Sequence, residues 1–136
     1  MTQSNQTTDK KCGFVSLLGE TNSGKSSLIN AMVGQKVSIV SRKIQTTLTR
    51  TLGIVIYNNS QIIFIDTPGF LRKNSIESLS KIAWDAFRES LNTLFVIDAA
   101  RKNFDASIRL LEKIDKAKNV AQVLNKVDLV HKTILK

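Results

Sequence analysis

The chain has 136 residues, 42% of them hydrophobic and 23% charged, with six glycines and one proline. That is one domain's worth of ordinary globular composition, able to bury about two-thirds of its unfolded surface, and it excludes collagen-like and disordered classes. Twenty Lys and Arg against eleven Asp and Glu leave a net charge of +9, which points to an anionic ligand such as nucleic acid, nucleotide or lipid head group.

Residues 1–11 are polar and read as a frayed tail ahead of a single domain over residues 12–136. Gly13 to Leu18 is an apolar run with the length of a buried strand, and Lys25 to Val33 has helical spacing stopped by Gly34. Residues 35–50 lack apolar periodicity and read as an ordered or switching loop. Thr51–Tyr57 and Gln61–Asp66, separated by Asn58, Asn59 and Ser60, predict an antiparallel hairpin. Leu79, Ile82, Ala83 and Ala86 predict a helix, Asn92–Asp98 a strand, Asp105–Lys116 an amphipathic helix and Val120–Leu124 a last strand. Continuous apolar strands alternating with helices imply burial on both sheet faces, hence an α/β fold with a mostly parallel sheet covered by helices on each side.

Cys12 is the only cysteine, which excludes an intrachain disulfide and suits a reducing compartment. With no apolar run of membrane-spanning or signal-peptide type, a cytoplasmic location is the expectation. The basic residues come in pairs (Lys10/Lys11, Arg42/Lys43, Arg72/Lys73, Arg101/Lys102) rather than in one block. Cys12 reads as a packing residue, His131 as solvated, and Trp84 with Phe87 and Ile82 as part of a helix covering the sheet.

The first strand runs into Gly19-Glu20-Thr21-Asn22-Ser23-Gly24-Lys25-Ser26, a match to GxxxxGK[ST] in the required strand–loop–helix context. The two glycines let successive amides turn inward toward phosphate oxygens, the helix places its positive end there, and Lys25 adds a mobile ammonium. Ser26 offers a hydroxyl to Mg²⁺. Asp66-Thr67-Pro68-Gly69 lies at a strand end, where Asp66 can hold Mg²⁺ through water and the Gly69 amide can sense a γ-phosphate. Asn125-Lys126-Val127-Asp128 follows the last strand. A carboxylate at Asp128 can accept from guanine N1–H and its amino group, whereas adenine offers no matching donors.

These motifs in this order resemble a translation-factor-type P-loop GTPase, and Lys36 to Thr47 resembles the first switch of the Era family. The resemblance covers nearly all of the chain after residue 12. It implies a G domain with one antiparallel hairpin strand, GTP binding and hydrolysis to GDP, association with 16S rRNA and small ribosomal subunit assembly. It further implies Thr47 as the residue closing the Mg²⁺ shell, with Thr46 the runner-up. Nucleotide contacts are expected from Gly19, Asn22, Ser23, Gly24, Lys25, Ser26, Ser27, Asp66, Gly69, Asn125, Lys126 and Asp128, and the catalytic set is Lys25, Thr47 and Gly69. Lys126 is to pack along the guanine and Asn125 to brace the base and the phosphate loop. Phe70 stands where Ras-like enzymes have a water-orienting glutamine, so slow turnover is expected, with K⁺ beside Asn22 as a compensating cation. A membrane surface, on the inner face, is the other anionic partner compatible with the charge. Eight residues follow Asp128, ahead of the family's next guanine-contacting loop, last strand, closing helix and KH domain. A truncated G domain is therefore expected, with Val120 to Leu124 as an exposed edge, and the alternative function is a nucleotide-binding remnant without useful turnover.

Overall fold

The computed structural model describes residues 10–34, 38–41, 50–71, 79–114 and 119–131. Thr46, Thr47, Arg42, Lys43, Arg72 and Lys73 lie outside those residues. In chain order the elements are β1 (Lys11–Gly19), α1 (Lys25–Val33), β2 (Ser38–Ser41), β3 (Arg50–Tyr57), β4 (Ser60–Asp66), α2 (Lys81–Glu89), β5 (Asn92–Asp98), α3 (Asp105–Ile114), β6 (Asn119–Asn125) and a short 3₁₀ turn at Val127–Leu129. They build a six-stranded sheet in the order β2-β3-β4-β1-β5-β6. β4, β1, β5 and β6 are parallel, and β3 is antiparallel to both β4 and β2.

Alternation along the strands sorts the core into two layers. Leu18 and Phe95 face α2 and α3, where they join Phe70, Leu79, Ala83, Phe87, Ala106, Leu110 and Ile114. Their neighbours Leu17 and Val96 point the opposite way, onto Ile29 of α1 and Phe64. Each such fully buried side chain contributes about 1.5–3 kcal/mol, so these clusters are what fixes strand register and helix placement. On the α2 face the indole of Trp84 meets the Phe87 ring edge-on, with centroids 5.8 Å apart. This agrees with the covering role expected for that helix.

Two features depart from the sequence expectations. Ser38–Ser41, inside the segment expected to be a loop, forms β2 and pairs with β3 from Ser38↔Gly53 to Ser41↔Arg50. Cys12 is exposed rather than packed, since it sits near the start of β1, before the strand enters the helical layers. Burial on both faces holds for β5, whereas β6 is an edge of the sheet among the described residues and leaves Leu124 56% exposed, the exposed edge expected for Val120 to Leu124. No described helix is long and apolar enough to cross a membrane.

The topology creates a site. The chain leaves β1 toward β4 on one side and later toward β5 on the other, so strand order reverses at β1. All four parallel strands end along the same sheet edge. Ligands of open α/β sheets bind in the crevice at such a switch point.

Candidate nucleotide site

The carboxyl ends of β1, β4 and β6 deliver Gly19, Asp66 and Asn125 to this crevice, and all three sequence motifs meet there. A cleft of about 600 Å³ is lined by Thr21, Asn22, Gly24, Lys25, Ser26, Ser27, Asp66, Thr67, Pro68, Gly69 and Lys126. Helix α1 opens into it without a side-chain cap and without an acidic residue in its first turn. By contrast, Ser80 caps α2 by accepting from the Ala83 amide, and α3 carries Asp105 in its first turn. The positive end of α1 is thus left for an external anion.

Gly24 is required by its backbone conformation and Gly69 by close approach. Gly24 has φ +95°, and a Cβ there would lie 2.1 Å from Asn125 Nδ2. At Gly69 a Cβ would come within 2.5 Å of Thr21 Cα and 2.6 Å of Thr21 N, so only glycine lets the DTPG turn lie against the phosphate loop. The next residue fastens that contact: Phe70 N–H donates to Gly19 O at 3.3 Å, and Thr21 N–H donates to Phe70 O at 3.1 Å. The Phe70 ring is buried against Phe95. It belongs to the core and presents no polar group to the cleft.

Lys25 is buried, and its ammonium donates to Gly19 O at 3.1 Å and Glu20 O at 3.0 Å, both carbonyls of the loop it serves. Burial holds its pKa below the ordinary lysine value; Asp66 opposes this, Arg101 reinforces it and Glu20 opposes it. A partly desolvated ammonium resting on neutral carbonyls gains from exchanging them for phosphate oxygens.

The residues expected to hold Mg²⁺ fit that ion. Ser26 Oγ donates to Asp66 Oδ2 at 2.5 Å, while Asp66 Oδ1 is buried with no hydrogen-bond partner among the described residues. A hydroxyl and an unsatisfied carboxylate oxygen are hard donors of the type Mg²⁺ takes beside water and phosphate. No group of three or more His, Cys, Asp or Glu gathers among the described residues. Thr47, the third expected ligand, lies outside them.

The NKxD segment reaches the phosphate loop from the other side. Asn125 Nδ2 donates to Ser23 O at 2.9 Å, the bracing contact expected of it, and Lys126 Nζ donates to Asn22 O at 2.7 Å. Lys126 and Asn22 both adopt left-handed backbone, φ +60° and +63°. Asp128 is exposed within the 3₁₀ turn. It is not among the residues that line the cleft.

Several polar residues at the site escaped the sequence reading. Asp98, at the end of β5, accepts from Lys126 Nζ at 2.8 Å and from the Ala100 amide at 3.0 Å. Its carboxyl lies below the ordinary aspartate range: burial pushes upward, and the Lys126 hydrogen bond, the Ala100 amide and the charges of Lys126 and Arg101 outweigh it. Glu20 binds Ser107 and Arg101, so one of the paired bases is engaged in the fold. Motif spacing carries no signal for such contacts.

Residues 14–126 match the family model described as 50S ribosome-binding GTPase. The chain is 46% identical over 126 residues to GTPase Era of Bradyrhizobium sp. (strain ORS 278), covering 88% of this chain and 40% of that protein. It is 41% identical over 132 residues to GTPase Era of Ehrlichia ruminantium (strain Gardel), covering 93% and 44%. A point variant of Aquifex aeolicus Era bound to GDP·AlF₄⁻ superposes with a TM-score of 0.70 at 36% identity over 92% of this chain and 44% of that one. Era in complex with MgGDPNP and nucleotides 1506–1542 of 16S ribosomal RNA superposes with a TM-score of 0.72 at 37% identity over 93% and 45%. The G domain of the T. maritima FeoB iron transporter gives 0.69 at 28% identity over 91% and 80%. The chain thus spans less than half the length of the Era proteins it matches.

Proposed function

Because the chain belongs to the 50S ribosome-binding GTPase family, we propose that it binds GTP and GDP with Mg²⁺ and hydrolyses GTP slowly, as an Era-like switch. One observation carries this: phosphate loop, DTPG and NKxD converge on one cleft, with Asn125 and Lys126 bonded to the phosphate-loop carbonyls of Ser23 and Asn22. In hydrolysis a water oxygen bonds to the γ-phosphorus, the bond from that phosphorus to the bridging oxygen breaks, GDP leaves with the electron pair, and a proton of the water passes to an oxygen of the released phosphate. The loop amides from Gly19 to Ser27 and the Lys25 ammonium hold the phosphates for in-line attack, and the Gly69 amide donates to the γ-phosphate. Ser26, Asp66 and Thr47 would hold Mg²⁺, which supplies charge neutralisation at the phosphates. Asp128 selects guanine, and Lys126 packs along the base.

The buried Phe70 favours slow turnover, since the residue directly after Gly69 has no polar group to orient the water. It equally suits the second reading, guanine-nucleotide binding without useful turnover. Labelled GDP binding that survives excess ATP is expected of both, and GTP turnover abolished by Lys25→Ala selects the enzyme. Preference for adenosine nucleotides, or no binding with Mg²⁺ present, refutes both. K⁺ beside Asn22 belongs to the enzyme reading, and an unchanged rate on replacing Na⁺ by K⁺ removes it.

The basic charge is assigned to 16S rRNA of the small ribosomal subunit in the cytoplasm. Support comes from the superposed Era structure, which holds a 16S rRNA segment. Cosedimentation with small subunits in GTP, and not with anionic vesicles, is expected; the reverse pattern moves the basic surface to the inner membrane face.

A further inference from the structure

We infer that Glu20 and Arg101 form a latch that positions the phosphate loop, so that this pair tunes how strongly the outer phosphates are gripped. The inference rests on the proposed guanine-nucleotide reading and adds to it two residues outside the expected site set. Glu20 is a variable position of the GxxxxGK[ST] pattern, where nothing in the motif asks for an acid. Yet it is only 4% exposed, a burial that an unpaired carboxylate does not tolerate. Its two oxygens are taken by separate partners. Oε1 accepts from Ser107 Oγ of α3 at 2.7 Å, and Oε2 accepts from Arg101 Nη1.

The other arm of the guanidinium, Nη2, donates to Thr21 O at 2.5 Å. Arg101 therefore clasps a side chain and a main-chain carbonyl of consecutive phosphate-loop residues, a forked geometry that lysine cannot reproduce. Its Nε also lies 3.8 Å from Asp98 Oδ2, and Asp98 holds Lys126. The loop is thus tied at Glu20 and Thr21 to the β5–α3 connection, and at Asn22 and Ser23 to the NKxD segment. These ties fall within the stretch from Gly19 to Ser27 whose amides would cradle phosphate. Neither Glu20 nor Arg101 lines the cleft where a phosphate would lie, so the two act as positioning residues.

The test compares GDP with GMP, which shares base, ribose and first phosphate but lacks the second. Affinities are measured by competition against a fluorescent GDP for the unaltered chain, Glu20→Gln, Arg101→Ala and Arg101→Lys. A latch acting on the phosphate cradle predicts that Glu20→Gln and Arg101→Ala lower GDP affinity about five- to tenfold with GMP affinity within about twofold. Arg101→Lys, which keeps the charge and loses the fork, falls between. Equal losses for GDP and GMP, or an unchanged ratio, overturn the latch. If Glu20→Gln and Arg101→Ala do not fold, Arg101→Lys decides by the same ratio. Failure of the unaltered chain to bind GDP overturns the underlying reading and the latch with it, whereas binding with a ratio indifferent to all variants overturns the latch alone.

Discussion

Replacing Gly24 by alanine tests how phosphate loop and NKxD segment are joined. Its φ of +95° costs a residue with a Cβ about 1–2 kcal/mol. The new methyl would stand 2.1 Å from Asn125 Nδ2, so the amide must swing away and release its 2.9 Å bond to Ser23 O, a further 0.5–1.5 kcal/mol or so. The expected destabilisation is about 2–3 kcal/mol, a fall in Tm on the order of 8 °C for a chain of this size. Asn125→Ala alone loses only the bond, about 1 kcal/mol. In the double variant the methyl meets no amide, leaving backbone strain and one lost bond, about 2–2.5 kcal/mol rather than the sum of the singles. Urea unfolding without nucleotide on the four proteins of this cycle gives the coupling. Costs that add to within about 0.5 kcal/mol would mean that the two residues do not share this contact.

Three further outcomes follow from the same geometry. Asp128→Asn leaves the exposed turn, and hence stability without nucleotide, unchanged within about 0.5 kcal/mol, while GDP affinity measured by calorimetry falls about ten- to a hundredfold. The Asp98 carboxyl is depressed in the folded chain, so it contributes stability above its unfolded value near about 3.9 that is lost as pH falls through the folded value. Urea midpoints across the acid range should therefore fall less for Asp98→Asn than for the unaltered chain. Lys25 is also depressed, but as a base its effect runs the other way. Between its folded value and about 10.4 the unfolded chain binds the extra proton, so stability rises with pH; urea midpoints taken across the alkaline range should show that rise for the unaltered chain and not for Lys25→Met.

What the sequence disclosed and what it hid divide along contact range. The phosphate loop, DTPG and NKxD are legible because their chemistry is local: two glycines for a curled backbone, a lysine, a hydroxyl and a carboxylate at strand ends. The order of these motifs placed them at one sheet edge, where Ser26 and Asp66 meet. The Glu20 latch was not legible, because its partners lie 81 and 87 residues away and Arg101 reads as one of a pair of bases with Lys102. β2 was hidden for a similar reason. Ser-Ile-Val-Ser is too short and polar to declare a strand, and it becomes one through the register that β3 offers. Cys12 shows the converse error, since an apolar run says nothing about how far the helical layers extend along it.

The bonds from Asn125 to Ser23 and from Lys126 to Asn22 span 102 and 104 positions of the sequence. Bringing such distant stretches together is slow and entropically unfavourable, and the reward arrives only after β1, β5 and β6 have aligned. A nucleotide seated across both ends of the chain would act as a fastener, stabilising the assembled state by RT ln(1 + [L]/Kd). Recovery from denaturant should accordingly yield more native protein when GDP and magnesium are present from the start than when they are added afterwards.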